Sequence, residues 1–384
     1  MHSETTPIKN EELLIDGDAY FASLAKGIEQ AQATIDLESY IFGNDKVGLR
    51  IIELLIAARK RGVAIRVIVD GVGSMGFASS LAPVLQNAEI PYKIYHQLPW
   101  ERFFNKNPQA GGPKSLVQLF THINKRDHRK LCVIDQNKVW LGSVNISAVH
   151  SREVSGDKAW HDISIRFEGD DARFLIAAFD YIWVPSIRRL QKSRKPTRTR
   201  IASSYNSAIR LNSLRKLRRQ NYSVLLSKLK CATNRIWIMN AYFAPAKSFL
   251  NALSNASKRG VDVKVIVPST SDIFFMPWLS AVFEYTLLRV GVKVYEFLPT
   301  ILHAKVMLID DEIIVGSSNL NHRSLIHDLE VDIRSKNKTV VDQLTAQFLT
   351  DLANSRERTL TDFGNFPFWK RTLASIALKL RYWL

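Results

Sequence analysis

The chain has 384 residues, 46% of them apolar, and carries a formal net charge of +17, with 53 Lys and Arg against 36 Asp and Glu. A polypeptide of this length buries a substantial core and divides into about two domain-sized units, which excludes a disordered or disulfide-stapled class. The excess of positive charge predicts attraction to a polyanion, either nucleic acid or an anionic membrane surface.

The N-terminus, MHSETTPIKNEELLIDGDAY, lacks the basic start, apolar run and small-residue cleavage site of a secretory signal, so export is not expected. No stretch approaches the ~20 uninterrupted apolar residues that cross a bilayer, and any membrane contact is expected to be peripheral. Cys132 and Cys231, the two cysteines, lie in apolar surroundings and read as small buried side chains in a reducing cytoplasm.

In chain order, TIDLESYIF (34–42) opens a series of blocks that returns later. KRGVAIRVIVDG from Lys60 and YKIYHQLP from Tyr92 follow it, and then HRKLCVIDQNKVWLGSVNIS from His128. The second series is RIWIMNAYF (235–243), KRGVDVKVIVPS from Lys258, VKVYEFLP from Val292 and HAKVMLIDDEIIVGSSNLN from His303. Two homologous halves result. Short β-branched runs alternate with segments of helical period, such as 47–61 and 249–258, which predicts the α/β class. The halves are expected at 1–187 and 221–384, joined by a basic linker at 188–220 that serves as a solvated connector or a phosphate-binding surface. No Asp or Glu lies between Asp180 and Asp262, where 18 Lys and Arg stand. Tyr95 and His128 are 33 positions apart but Tyr295 and His303 only 8, so the first half carries an insertion, expected to be a loop near the site.

Each half contains His, Lys two residues on, Asp seven residues on, and a Gly-Ser-x-Asn tail. Strand alternation makes His128 cofacial with Lys130, and His303 with Lys305. Asp135 and Asp310 precede polar turns and are expected to brace backbone. Ser143 with Asn145, and Ser317 with Asn319, follow a glycine and are expected to contact phosphate. A neutral imidazole attacks phosphorus, a protonated one supplies the leaving alkoxide with a proton, and two ammonium groups neutralise the equatorial oxygens. Downstream, Asp162 and Glu330 can hold an imidazole in one tautomer or can be ordinary surface carboxylates. This inventory requires no metal or other cofactor. Six other histidines, His96, His122, His150, His161, His322 and His327, show no ligand spacing and read as surface or core residues.

The paired HxKxxxxD blocks with GSxN tails resemble the phospholipase D superfamily, and NAYFAP with VGSSNLNHRSLIHDLEV looks like its bacterial cardiolipin synthase branch, in the short form without N-terminal membrane helices. The resemblance covers nearly the whole chain. It implies two α/β/α sandwiches about a pseudo-twofold axis with one shared active site, His128 as nucleophile, His303 as acid and then base, and Asp162 and Glu330 as their partners. It further implies transfer of a phosphatidyl group through a phosphohistidine from one phosphatidylglycerol to another, on the cytoplasmic face of the inner membrane. A phospholipase D-type hydrolase and a metal-independent nuclease share these motifs and stand as alternatives. Lipid is preferred to nucleic acid on the C-terminal segment FPFWKRTLASIALKLRYWL, whose Leu373, Ile376, Ala377, Leu380 and Leu384 fall at the spacing of an interfacial helix. Phe274, Phe275, Met276, Trp278 and Leu279 form a second apolar cluster, read as an acyl-chain entrance or as core.

Overall fold

The computed structural model describes residues 8–98, 124–184, 195–204 and 207–364. Most of the first-half insertion (99–123), the expected linker before residue 195, and the C-terminal segment expected to be amphipathic lie outside these residues.

The first sheet has seven strands: β1 (Lys9–Ile15), β2 (Thr34–Ser39), β3 (Ala64–Asp70), β4 (Tyr92–Tyr95), β5 (Leu131–Ile134), β6 (Lys138–Gly142) and β7 (Ile163–Glu168), in the order β1-β7-β6-β5-β2-β3-β4. The second has eight: β8 (Ile209–Leu211), β9 (Arg235–Asn240), β10 (Asp262–Pro268), β11 (Lys293–Phe297), β12 (Lys305–Ile309), β13 (Glu312–Gly316), β14 (Val331–Ser335) and β15 (Ser355–Glu357), in the order β15-β11-β10-β9-β12-β13-β14-β8. Apart from β15, the two orders are identical position for position. β8 takes the edge place that β1 has in the first half, pairing antiparallel with β14 as β1 pairs with β7. The basic segment read as a linker therefore contributes a buried strand to the second sheet, and residues 195–203 within it are helical.

Local chemistry explains the repeated units. In both KRGV blocks the helix ends at a glycine in the left-handed region, Gly62 at φ +92 and Gly260 at φ +89, a conformation that closes the helix and that side chains rarely adopt. The strands that follow have both faces covered. Along β5, Leu131 and Val133 enter a core shared by the two sheets, while Cys132 and Ile134 pack under the outer helices Asp16–Gln30 and Lys46–Lys60. Along β12, Val306 and Leu308 enter the shared core, and Met307 and Ile309 pack outward against helices Lys247–Lys258 and Met276–Leu288. Burial on both faces accounts for uninterrupted apolar runs in place of strict alternation. Helices Ala172–Trp183 and Lys338–Ala353 complete the shared core, so each half is an α/β/α sandwich and the two are joined through their inner layers.

Cys132 is buried as expected, but Cys231 is exposed, because it ends the helix Arg215–Cys231 on its solvent side. Of the 274–279 cluster, Met276 and Leu279 are core while Phe274 is 74% exposed. Phe275 and Trp278 are half-buried and both meet the Phe274 ring edge-on.

His161, read from sequence as an ordinary histidine, is a buried tie between the halves. Its Nδ1 meets Asp16 at 2.6 Å and its Nε2 meets Asp351 at 3.0 Å. Burial opposes the charged ring, yet the two carboxylates overcome it and raise the imidazole to about 10. The unfolded value is ~6.5, so this contribution to stability is complete below that pH and is lost as pH rises toward the folded value. We expect His161→Leu to destabilise the fold by about 3–5 kcal/mol at neutral pH, since a buried Asp351 loses its counter-charge. Denaturant unfolding measures this, and a loss under ~1 kcal/mol would refute it.

Candidate active site

Each histidine block is held by the other half. Asp127 and Leu329 form a parallel bridge, in which the Leu329 N–H donates to Arg126 O at 2.8 Å and the His128 N–H donates to Leu329 O at 3.0 Å. At the related place His161 and Leu302 bridge, and the His303 N–H donates to His161 O at 2.8 Å. These two contacts repeat one another about the pseudo-twofold axis, and they carry the histidines to the seam.

The same seam crosses the carboxylates over. His128 Nδ1 lies 3.1 Å from both oxygens of Glu330, in the other half, and 3.2 Å from Ser317 O. His303 Nδ1 lies 2.7 Å from Asp162 Oδ1, again in the other half. Because carboxylates and carbonyls only accept, both rings carry hydrogen on Nδ1 and leave Nε2 for chemistry. Both histidines and both carboxylates are buried. Lys130 Nζ donates to His128 O at 2.8 Å and Lys305 Nζ to His303 O at 2.5 Å, which spends one of three N–H groups and fixes each ammonium beside its imidazole.

Electrostatics follow from burial. Burial lowers Lys130 to about 7, helped by Lys305, and lowers Lys305 to about 8 against the pull of Asp162 and Glu330. Burial and the two ammonium groups also hold His128 below the usual imidazole range. Burial and Lys305 do the same to His303, against the pull of Asp162. The carboxylates diverge. Burial raises Glu330 to about 7 despite Lys130, whereas burial at Asp162 is overcome by His303 and His150, which hold it well below the usual range.

The tails of the motifs do different work from that expected. The Ser143 hydroxyl donates to Asp162 at 2.6 Å and the Ser317 hydroxyl donates to Glu330. Each hydroxyl also accepts a backbone N–H, from Ile163 at 3.2 Å and from Val331 at 3.1 Å. A hydroxyl has one proton, so neither serine keeps a donor for phosphate. Asn145 Oδ1 accepts the Ile41 N–H at 3.2 Å, and its Nδ2 stands 3.3 Å from His150 Nε2, leaving one N–H for a ligand. Asn319 Oδ1 is buried with no hydrogen-bond partner among the described residues.

Asp135 and Asp310 stand at the opposite end of the strands, roughly 20 Å from the histidines by strand rise. Asp135 accepts from the amides of Gln32, Ala33 and Thr34, the shortest at 2.7 Å, and Asp310 from Thr233, Asn234 and Arg235, the shortest at 2.8 Å. Against burial, those amides hold both carboxyls below their ordinary value.

Sequence reasoning missed His150. Its ring is fully buried, with Nδ1 2.6 Å from Asp162 Oδ2, and it lies 5.2 Å from the His303 ring. Counting five residues from each motif asparagine finds it, because Asn145 leads to His150 and Asn319 to Ser324. His150, Asp162 and His303 bring three potential ligating atoms within 4.8 Å of one another. In this arrangement Asp162 accepts from both imidazoles and from the Ser143 hydroxyl, so the three side chains satisfy one another by hydrogen bonds. Tyr40 stands edge-on to His128 at 4.8 Å, and Trp160 lies 5.2 Å from His303.

The family model described as cardiolipin synthase, PLD-like domain, matches residues 24–153 and 225–352, one match in each half. The chain belongs to this family. Among its relatives, the cardiolipin synthase of Alkalihalophilus pseudofirmus is 28% identical over 95% of this chain and 70% of its own length. Cardiolipin synthase B of Salmonella typhi is 30% identical over 91% of this chain and 83% of its own. The crystal structure of phosphatidylserine synthase from Haemophilus influenzae matches 98% of this chain and 97% of that one with a TM-score of 0.72 at 14% identity, a likeness of fold. No helix among the described residues of this PLD-like chain is long and apolar enough to cross a membrane.

Proposed function

We propose that this chain is a cardiolipin synthase-like phosphatidyltransferase that joins two phosphatidylglycerols through a phosphohistidine. The observation that carries the reading is the crossed pairing of His128 with Glu330 and His303 with Asp162 around two buried ammonium groups. The difference between the carboxylates supports the assignment of roles. Glu330, raised to about 7, offers less negative charge than Asp162, and burial with Lys130 and Lys305 keeps His128 a neutral nucleophile. Asp162 stays ionised and favours a proton on His303 once a phosphodiester anion between Lys130 and Lys305 cancels the charge that holds that ring down.

In the first step His128 Nε2 attacks phosphorus. The N–P bond forms, the P–O bond to glycerol breaks, and His303 gives its Nε2 proton to the departing alkoxide. In the second, neutral His303 takes the proton of the acceptor hydroxyl, whose oxygen bonds to phosphorus as the N–P bond breaks. Cardiolipin leaves and both rings return to their starting states. Lys130 and Lys305 neutralise the equatorial oxygens, with Asn145 and Asn319 beside them. Ser143 and Ser317 steady the carboxylates, and no nucleotide or metal enters the scheme. An anionic membrane supplies the substrate, with the exposed Phe274 ring and the basic surface favouring contact with it.

Incubation with phosphatidylglycerol vesicles, and separately with single-stranded DNA, tests the reading. Cardiolipin and glycerol in equal amounts are expected. Phosphatidate without cardiolipin would make the chain a hydrolase, and cleaved DNA with untouched lipid would make it a nuclease.

A further inference from the structure

The two half-sites share a plan but not a composition. Each carboxylate receives a motif histidine from the other half and a motif serine from its own: His303 and Ser143 on Asp162, His128 and Ser317 on Glu330. The third partner breaks the symmetry. The Ser324 hydroxyl stands near Glu330 and acts to lower its carboxyl, while Asp162, at the related position, takes an imidazole, His150.

The protonation of that imidazole follows from its neighbours. The Ile41 N–H donates to Asn145 Oδ1 at 3.2 Å, which turns the Asn145 amino group toward His150. Nδ2 can only donate, so His150 Nε2, 3.3 Å away, accepts, and the ring hydrogen sits on Nδ1. Nδ1–H then donates to Asp162 Oδ2 at 2.6 Å. His150 thus presents a donor to Asp162 and an acceptor to Asn145. Asp162 Oδ1 faces His303 and Ser143, Oδ2 faces His150, and a carboxylate so surrounded by donors keeps its charge and its orientation. Lys130, Lys305 and Tyr242 also act on Asp162. On its far side His150 borders a cavity with Asp16, Arg152, Asp157, His161 and Asp351.

We propose that His150 is a positioning residue: by donating to Asp162 Oδ2 it holds that carboxylate ionised and aimed at His303, and so makes the His303 half the proton-donating half. The inference rests on the phosphohistidine reading and assigns the asymmetry between two motifs that are otherwise alike.

The test compares the first turnover of the full-length chain on two donors, phosphatidylglycerol, whose glycerol alkoxide needs a proton, and phosphatidyl-p-nitrophenol, whose phenolate leaves without one. Three variants separate position from bulk. Phe in place of His150 keeps the volume and removes the donor. Asn puts an amide nitrogen where Nδ1 was, and Gln puts it where Nε2 was. We expect His150→Phe and His150→Gln to slow glycerol release by about 10- to 100-fold, a fraction of the ~10²–10⁴ that a whole general acid supplies, with nitrophenol release within about threefold of wild type. His150→Asn should restore glycerol release to within about fivefold of wild type. Should the Phe variant fail to fold, the Gln and Asn pair decides. Equal slowing on both donors at an unchanged Tm, no slowing on either, or an Asn variant as poor as Gln would each overturn the proposal. Glycerol release precedes the acceptor step, so a wild type that yields phosphatidate would refute transfer while leaving this comparison decisive.

Discussion

His128→Ala is expected to leave no measurable cardiolipin, a fall on the order of 10⁴-fold or more, and no phosphorus bound to protein after brief exposure to labelled phosphatidylglycerol. Losing a nucleophile removes a step rather than a contact, which is why the fall exceeds what any single hydrogen bond supplies. Its Nδ1 is committed to Glu330 and Ser317 O, so only Nε2 is free to bond phosphorus. His303→Ala should differ in kind: with a nitrophenyl donor that needs no acid, it should still trap the label on His128. Label retained by His128→Ala and lost from His303→Ala would reverse the two roles.

Asp162→Asn is the second large effect, with an expected fall in kcat on the order of 10²–10⁴-fold and a smaller change in KM. Asp162 accepts from three donors at once: Ser143 at 2.6 Å, His150 at 2.6 Å and His303 at 2.7 Å. An asparagine must turn its amino group toward one side, so at least one donor meets another donor. The opposite carboxylate should be more forgiving. Glu330, already raised to about 7, carries less charge to lose, and Glu330→Gln is expected to retain at least tenfold more kcat than Asp162→Asn. Parallel kcat measurements on the two variants, with Tm as a folding control, decide this. Equal losses would refute the division of labour between the carboxylates.

Much of this site was legible as residues before it was legible as geometry. The repeat located His128, Lys130, His303 and Lys305, and the positions of Asp135 and Asp310 before turns pointed to their amide contacts. Ser143 and Ser317 read differently because a glycine-flanked hydroxyl suits a phosphate as well as a carboxylate, and only the proximity of Asp162 and Glu330 distinguishes the two. The strand Ile209–Leu211 stayed hidden for a related reason: three residues among many arginines carry too short a period to register, yet they complete the edge of a sheet.

The amino-acid sequence by itself determined the α/β class, the two halves, the duplicated His-x-Lys pairs and the type of chemistry, because each depends on local period or on recurrence along the chain. Tertiary structure alone decided that the carboxylates cross over, that His161 ties Asp16 to Asp351, and that His150 sits behind Asp162. The pairs His128–Glu330 and His303–Asp162 are 202 and 141 residues apart. No spacing rule reaches that far. What sets them is the packing of two sheets through one core, which turns two equivalent motifs into one site with unequal halves.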